Sequence, residues 1–133
     1  MGSKFSVSRM RKELAASTMS TVTTTEFVIS DVASANLDAA GTTVNNAATI
    51  VNHVTNVSGV ANSGVKLPTN ATSGEMYILS NVGIADVKVY ASGTDTLNGL
   101  AAGLASVVTL SASTGAVAVK AGSTNWAFLY SKV

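Results

Sequence analysis

The stretch from Glu75 to Tyr90, EMYILSNVGIADVKVY, decides the fold of this chain. Residues Glu75–Asn81 are mostly apolar, aromatic or β-branched, which is typical of a buried strand. A glycine-containing turn follows, and residues Asp86–Tyr90 then alternate between polar and apolar, so Val87 and Val89 share one face. The stretch therefore predicts two strands joined by a short turn.

Strand-like composition recurs on both sides of this stretch. Polar or glycine-containing turns separate the further segments, which are 21–29, 50–57, 64–68, 106–110, 116–120 and 126–130. The segment 50–57 also fits helical spacing, and we favour a strand there. Residues 34–48 are interpreted as a loop with one helical turn.

Two of the later segments show a clear two-residue period. Val117 and Val119 share one face of their strand, and Trp126, Phe128 and Tyr130 share one side of the next. Strands at this spacing predict a mainly β protein, either an antiparallel β-sandwich or a small barrel of jelly-roll type.

The composition limits what this protein does. The chain has 133 residues, enough for one domain, and only 11% of them are charged, against about 25% in an average soluble protein. A surface with so little charge is poorly protected against association. The composition therefore favours a protein that packs against neighbouring subunits.

The residues that usually carry chemistry are scarce. The chain has no cysteine and one histidine, His53, which excludes thiolate sites and a centre of several histidines. His53 has no carboxylate nearby in sequence and is interpreted as a surface or interface residue. Asp86 and Asp95 lack the spacing of a calcium loop, and phosphate-binding glycine motifs are missing. We predict no enzyme activity, no cofactor and no metal site.

The first twenty residues differ from the rest. Helix-forming residues dominate 9–16, and the basic side chains outnumber the acidic ones. We therefore divide the chain into a basic arm, 1–20, helical or extended, and a β-rich body, 21–133. The arm either packs on its own domain or docks on a partner. The candidate partner-binding residues are Lys4, Phe5, Arg9, Met10, Arg11, Lys12 and Leu14.

Direct binding of nucleic acid and insertion into a membrane are not expected. The basic residues of the arm have no aromatic residues interleaved with them, which makes a poor nucleic-acid footprint. No apolar run approaches the length of about 18 residues that a membrane helix needs.

Several motifs occur in a familiar order between residues 46 and 130. They are Gly64-Val65-Lys66-Leu67-Pro68, a strand ending at Asn81, Val87-Lys88-Val89-Tyr90, Gly93, Asp95, Leu97-Asn98-Gly99 and Trp126. This order resembles a small β-domain of virion structural proteins from tailed bacteriophages. Ala91 stands where that family often has a proline, and Thr94 separates Gly93 from Asp95 where the family has the two side by side.

The resemblance implies a structural role without catalysis. The family includes capsid decoration (cement) proteins, which are commonly trimeric. It therefore implies a homotrimer on the outer capsid surface of a virion, bound to the major capsid protein and stabilising the DNA-filled head. The alternative is a fibre or appendage protein that binds a host-surface glycan or adapts another fibre to the virion.

Overall fold

The computed structural model describes residues 31–100 and 107–130, and this part of the chain is mainly β, as the sequence predicts. It contains ten strands and no helix. The strands are β1 (Leu37–Asp38), β2 (Ala48–Thr49), β3 (Val54–Ser58), β4 (Ser63–Lys66), β5 (Met76–Asn81), β6 (Val87–Tyr90), β7 (Thr96–Leu97), β8 (Val107–Leu110), β9 (Gly115–Lys120) and β10 (Asn125–Tyr130). The predicted arm, 1–20, and the predicted strand at 21–29 lie outside the described residues.

The strands form two sheets. The large sheet has the order β1-β3-β5-β9-β10-β7, and the small sheet has the order β2-β4-β6-β8. From β1 to β6 the chain alternates between the two sheets, so each circuit adds one strand to each of them. Successive circuits run the same way, and the pairs β1–β3, β3–β5, β2–β4 and β4–β6 are consequently parallel.

The chain reverses direction after β6. Strand β8 pairs antiparallel with β6, β9 pairs antiparallel with β5, and β9 and β10 form a hairpin. Strand β7 pairs parallel with β10 at the edge of the large sheet. Both sheets are thus mixed. The expected antiparallel sandwich is not what the structure shows, because the first six strands wind in one direction instead of turning back as hairpins.

The core lies between the two sheets. Its largest fully buried apolar side chains are Ile50, Val57, Val65, Leu67, Leu79, Val87, Val89, Leu97, Leu110 and Trp126. Trp126 and Phe128 of β10 point into this core. Tyr130 follows the same alternation and packs near Phe128, yet 54% of it stays exposed at the end of the strand.

Three short strands were not predicted from the sequence. Strand β1 lies within the segment 34–48 interpreted as a loop, β2 begins at the last residue of that segment, and β7 lies in the loop after β6. Each has two residues, which is too short to show a period of two. Their positions come from ladder hydrogen bonds to longer neighbours.

A buried asparagine shapes the corner between β5 and β6. The side-chain nitrogen of Asn81 donates to the carbonyls of Ala85 and Leu110, and its oxygen accepts from the amide of Gly83. A Cβ at Gly83 would collide with the backbone of Gly59, so this close approach requires glycine. The corner fixes the end of β5 against the core.

Candidate functional site

The large sheet has an apolar face that no other described element covers. Alternate residues of β3, β5, β9 and β10 point away from the small sheet. We call this surface the outer face and define it by Val54, Met76, Ile78, Val117, Val119, Ala127 and Leu129.

The strand register places these side chains side by side. One row runs across four strands, because Val54 pairs with Ile78, Ile78 pairs with Val117, and Val117 pairs with Leu129. A second row joins Met76, Val119 and Ala127 in the same way. Cross-strand partners lie about 5 Å apart on one face. The seven residues therefore form one continuous surface.

The outer face combines exposure with an absence of charge. Leu129 is 65% exposed and Met76 is 42% exposed, and the other five residues are half-buried. None of the seven is charged, and the next row of the same ladders is polar, with Asn56 opposite Ser80. A contiguous apolar surface with a polar border is typical of a protein-interaction site.

A buried ionic cluster lies on the opposite side of the same sheet. Asp95, just before β7, contacts the ammonium group of Lys120 from β9. Its Oδ2 atom also accepts a hydrogen bond from Trp126 Nε1 at 2.9 Å. Lys120 Nζ lies 5.1 Å from the centre of the Trp126 ring. Lys120 is 2% exposed and Asp95 is 7% exposed.

A second carboxylate contact lies at the surface and joins residues that are distant in sequence. Asp31 Oδ2 lies 2.6 Å from His53 Nδ1 and also accepts the backbone N–H of His53, while Asp31 Oδ1 accepts from Asn52 Nδ2 at 2.7 Å. The hydrogen bond from Asn52, followed by those from His53, lowers the pKa of Asp31. The carboxylate partner of His53 was missed because it lies 22 residues away.

Tyr77 connects this pair to the core. Its ring stacks on His53 with centroids 4.6 Å apart and meets the edge of Trp126 at 5.7 Å. Its hydroxyl donates to Glu75 Oε2 at 3.1 Å. Burial, and then the hydrogen bond to Glu75, raise the pKa of Tyr77 to about 12.

The two aspartates considered for calcium have different partners. Asp86 Oδ1 accepts the backbone N–H of Ala112, whereas Asp95 is bound to Lys120 and Trp126. In the described part of the chain, no three His, Asp or Glu side chains gather into a group that could hold a metal ion.

The predicted partner-binding residues Lys4, Phe5, Arg9, Met10, Arg11, Lys12 and Leu14 all lie outside the described residues. The outer face on the body is thus a different candidate site. The sequence contained a signal for it, because β9 has small apolar residues on both faces. Within 31–100 and 107–130, no helix has the length and apolar character needed to cross a membrane.

Comparison with protein-family models, with curated proteins and with solved structures finds no match to this chain.

Proposed function

We propose that this chain is a virion structural protein of the capsid decoration type, and not an enzyme. In this proposal it assembles as a homotrimer, sits on the outer capsid surface, and binds the major capsid protein. The observation that carries the proposal is the outer face, a continuous apolar surface on the large sheet.

The occupant that best suits the outer face is a second copy of this chain. An uncharged apolar surface is complementary to itself, because neither partner loses hydration of a charged group on contact. Three copies around a three-fold axis bring their large sheets together as the sides of a prism, so each outer face is covered by the other two. The number of three comes from the resemblance to decoration proteins.

The residues that carry the resemblance have structural roles in the fold. Asn81 fixes the corner after β5, Asp95 and Trp126 bind each other in the core, and Asn98 exchanges two hydrogen bonds with the backbone of Phe128. These side chains serve the body itself. This use of the motif supports a scaffold role.

Attachment to the capsid is assigned to the arm. Lys4, Arg9, Arg11 and Lys12 provide positive charge next to a body whose acidic residues outnumber its basic ones. Charges of this kind accelerate encounter with an acidic surface and make it sensitive to salt. Phe5, Met10 and Leu14 are the apolar anchors, each worth about 1.5–3 kcal/mol when fully buried.

The test compares two full-length variants in a sedimentation assay with capsids that lack this protein. One carries serine at Lys4, Arg9, Arg11 and Lys12. A control carries serine at Lys66 and Lys88 of the body, which removes two positive charges instead of four. We expect the first variant to bind more slowly and with less dependence on salt, while the control binds as the wild type does.

Equal binding by both variants would show that the arm is not the attachment element. Counting copies in purified particles separates the decoration role from the appendage role. We expect hundreds of copies per particle, since decoration of a capsid lattice uses many weak contacts at once. A few copies per particle would identify an appendage protein.

A further inference from the structure

The carboxyl group of Asp95 and the amino group of Lys120 are buried and in contact. Two such groups can condense to an amide. We propose that Lys120 Nζ and Asp95 Cγ form an intramolecular isopeptide bond, which makes this pair a site of covalent self-modification. The inference does not depend on the proposed virion function. It rests on the contact between the two groups, their burial, and the way the surrounding strands hold them.

Lys120 is held on both sides of its strand. Its backbone N–H donates to the carbonyl of Glu75 at 2.9 Å, and its carbonyl accepts from Gly74 at 2.8 Å. On the other side, Lys120 pairs with Trp126 in the ladder between β9 and β10. The ammonium group contacts Asp95 and stacks over the Trp126 ring, so the lysine side chain has a fixed direction.

Asp95 is held by the same tryptophan. Trp126 Nε1 donates to Asp95 Oδ2, and the next two residues, Thr96 and Leu97, pair with Asn125 and Trp126. The nucleophile and the carboxyl carbon are therefore positioned by one fully buried ring. Because the fold already holds the two groups in contact, their reaction avoids the entropy cost of bringing two separate reactants together.

The reaction balances without any other reactant. Proton transfer from the ammonium group to the carboxylate gives an amine and a carboxylic acid, neither of which carries a charge. The lone pair of Nζ then forms a bond to Cγ. The C–O bond to the hydroxyl group breaks, and that group leaves with the second proton of the nitrogen. The products are one amide bond and one water molecule.

The surroundings favour this step. The N–H of Trp126 donates to Asp95 Oδ2, the same oxygen that Lys120 Nζ contacts. This donor holds the oxygen that takes the proton and leaves as water, so the carboxyl carbon stays beside the amine. With Lys120 2% exposed and Asp95 7% exposed, bulk water has little access to reverse the reaction. The resulting bond fastens the edge strand β7 to β9 across 25 residues of chain.

The experiment is the intact mass of the denatured full-length protein, followed by tryptic mapping. We expect a mass lower than the sequence mass by one water molecule. Trypsin should leave the bond after Lys120 uncut, and a branched peptide should contain both residues. Lys120→Arg, which keeps the positive charge, and Asp95→Ala should each restore the full mass. Lys88→Arg, on an exposed position of β6, is the control and should keep the deficit.

A wild-type protein at full sequence mass would overturn the proposal. So would a deficit that persists in Lys120→Arg, because the water would then have been lost elsewhere, for example by ring closure at an aspartate alone. The mass is read on denatured protein, and Lys120→Arg and Asp95→Ala are expected at full mass whether or not these variants fold well.

Discussion

The two sheets present different outward faces. The outward positions of the small sheet include Lys88, which pairs with Thr109, and Gly64, over which the ring of Tyr90 lies. Tyr90 is in turn covered from outside, since its hydroxyl donates to the carbonyl of Thr42 at 2.8 Å. None of the seven residues of the outer face is charged, and no other element within 31–100 and 107–130 covers them.

In the proposed trimer, this difference assigns the contact between copies to the large sheet. The outward side of the small sheet carries a lysine and a threonine, and a loop of the same chain covers Tyr90. Strands β5, β9 and β10 of the large sheet carry apolar side chains on both of their faces, and strands of that kind are normally buried on both sides. The small sheet covers one face, and a second copy of the chain would cover the other.

The largest expected effect contrasts the two sides of one strand. Ala118 of β9 is fully buried, and its neighbour Val119 belongs to the outer face. Ala118→Asp should cost about 4 kcal/mol or more in the free energy of unfolding, because a carboxylate is buried without a partner. Val119→Asp should cost about 1 kcal/mol or less in the monomer. Urea unfolding of both variants in the Ile78→Asp background, which we expect to be monomeric, gives the two costs, and equal costs would contradict the assignment of opposite faces to these residues.

The next effect concerns the ionic cluster under the large sheet. Asp95→Ala leaves Lys120 buried without the carboxyl group, whether the wild type holds the two as an ion pair or as the proposed amide, and should cost about 3–5 kcal/mol or more. Asp86→Ala is the control. Asp86 is exposed and accepts one backbone N–H, so its removal should cost about 1 kcal/mol. Thermal unfolding of the two variants gives the comparison, and a small loss for Asp95→Ala would contradict a structural role for the cluster.

A smaller effect appears at alkaline pH. Because the pKa of Tyr77 is raised from 10.0 to about 12 in the folded protein, the folded state holds the neutral phenol more strongly than the unfolded state does. Its contribution is fully present below pH 10 and is lost as the pH rises through 12, by about 2–3 kcal/mol. Tyr77→Phe should lack this loss. A variant whose stability declines as steeply as that of the wild type would contradict this assignment.

The smallest effect concerns the exposed pair at the surface. The pKa of Asp31 is lowered by its hydrogen bonds to Asn52 and His53, so folding favours the carboxylate. This contribution is present above the usual aspartate pKa of about 3.9 and is lost as the pH falls below that value through the folded pKa. In that acidic range, the free energy of unfolding of Asp31→Asn should therefore depend less on pH than that of the wild type. Identical acid-unfolding curves for the wild type and Asp31→Asn would show that the contact of Asp31 with Asn52 and His53 adds nothing to stability.

The sequence predicted the long strands better than the two-residue strands that pair with them. The alternation in Asp86–Tyr90 placed Val87 and Val89 on one face, and both are fully buried. Parallel pairing of β1, β3 and β5 was not predicted, because strand composition does not specify which strands pair. Two-residue strands such as β7 have no period to detect.

Strand β9 shows why the site itself was harder to predict. The pattern correctly grouped Val117 with Val119, but these two residues face outward while Ala116, Ala118 and Lys120 face the core. A lysine among small residues suggests a solvent-facing position. Its burial depends on Asp95, which lies 25 residues away. Asp31 was likewise not recognised as a partner of His53, because the two residues lie 22 positions apart in the sequence.

The most direct test of the central claim is the solution mass of the full-length protein by sedimentation equilibrium. Wild type should have three times the chain mass of 13.4 kDa. Ile78→Asp, at the centre of the outer face, should reduce it to one chain mass while the variant remains folded. Ile84→Asp changes an isoleucine that is 96% exposed on the turn after β5, and it should remain trimeric. A folded wild-type monomer, or an Ile78→Asp protein that keeps the wild-type mass, would contradict the assignment of the outer face as the assembly surface.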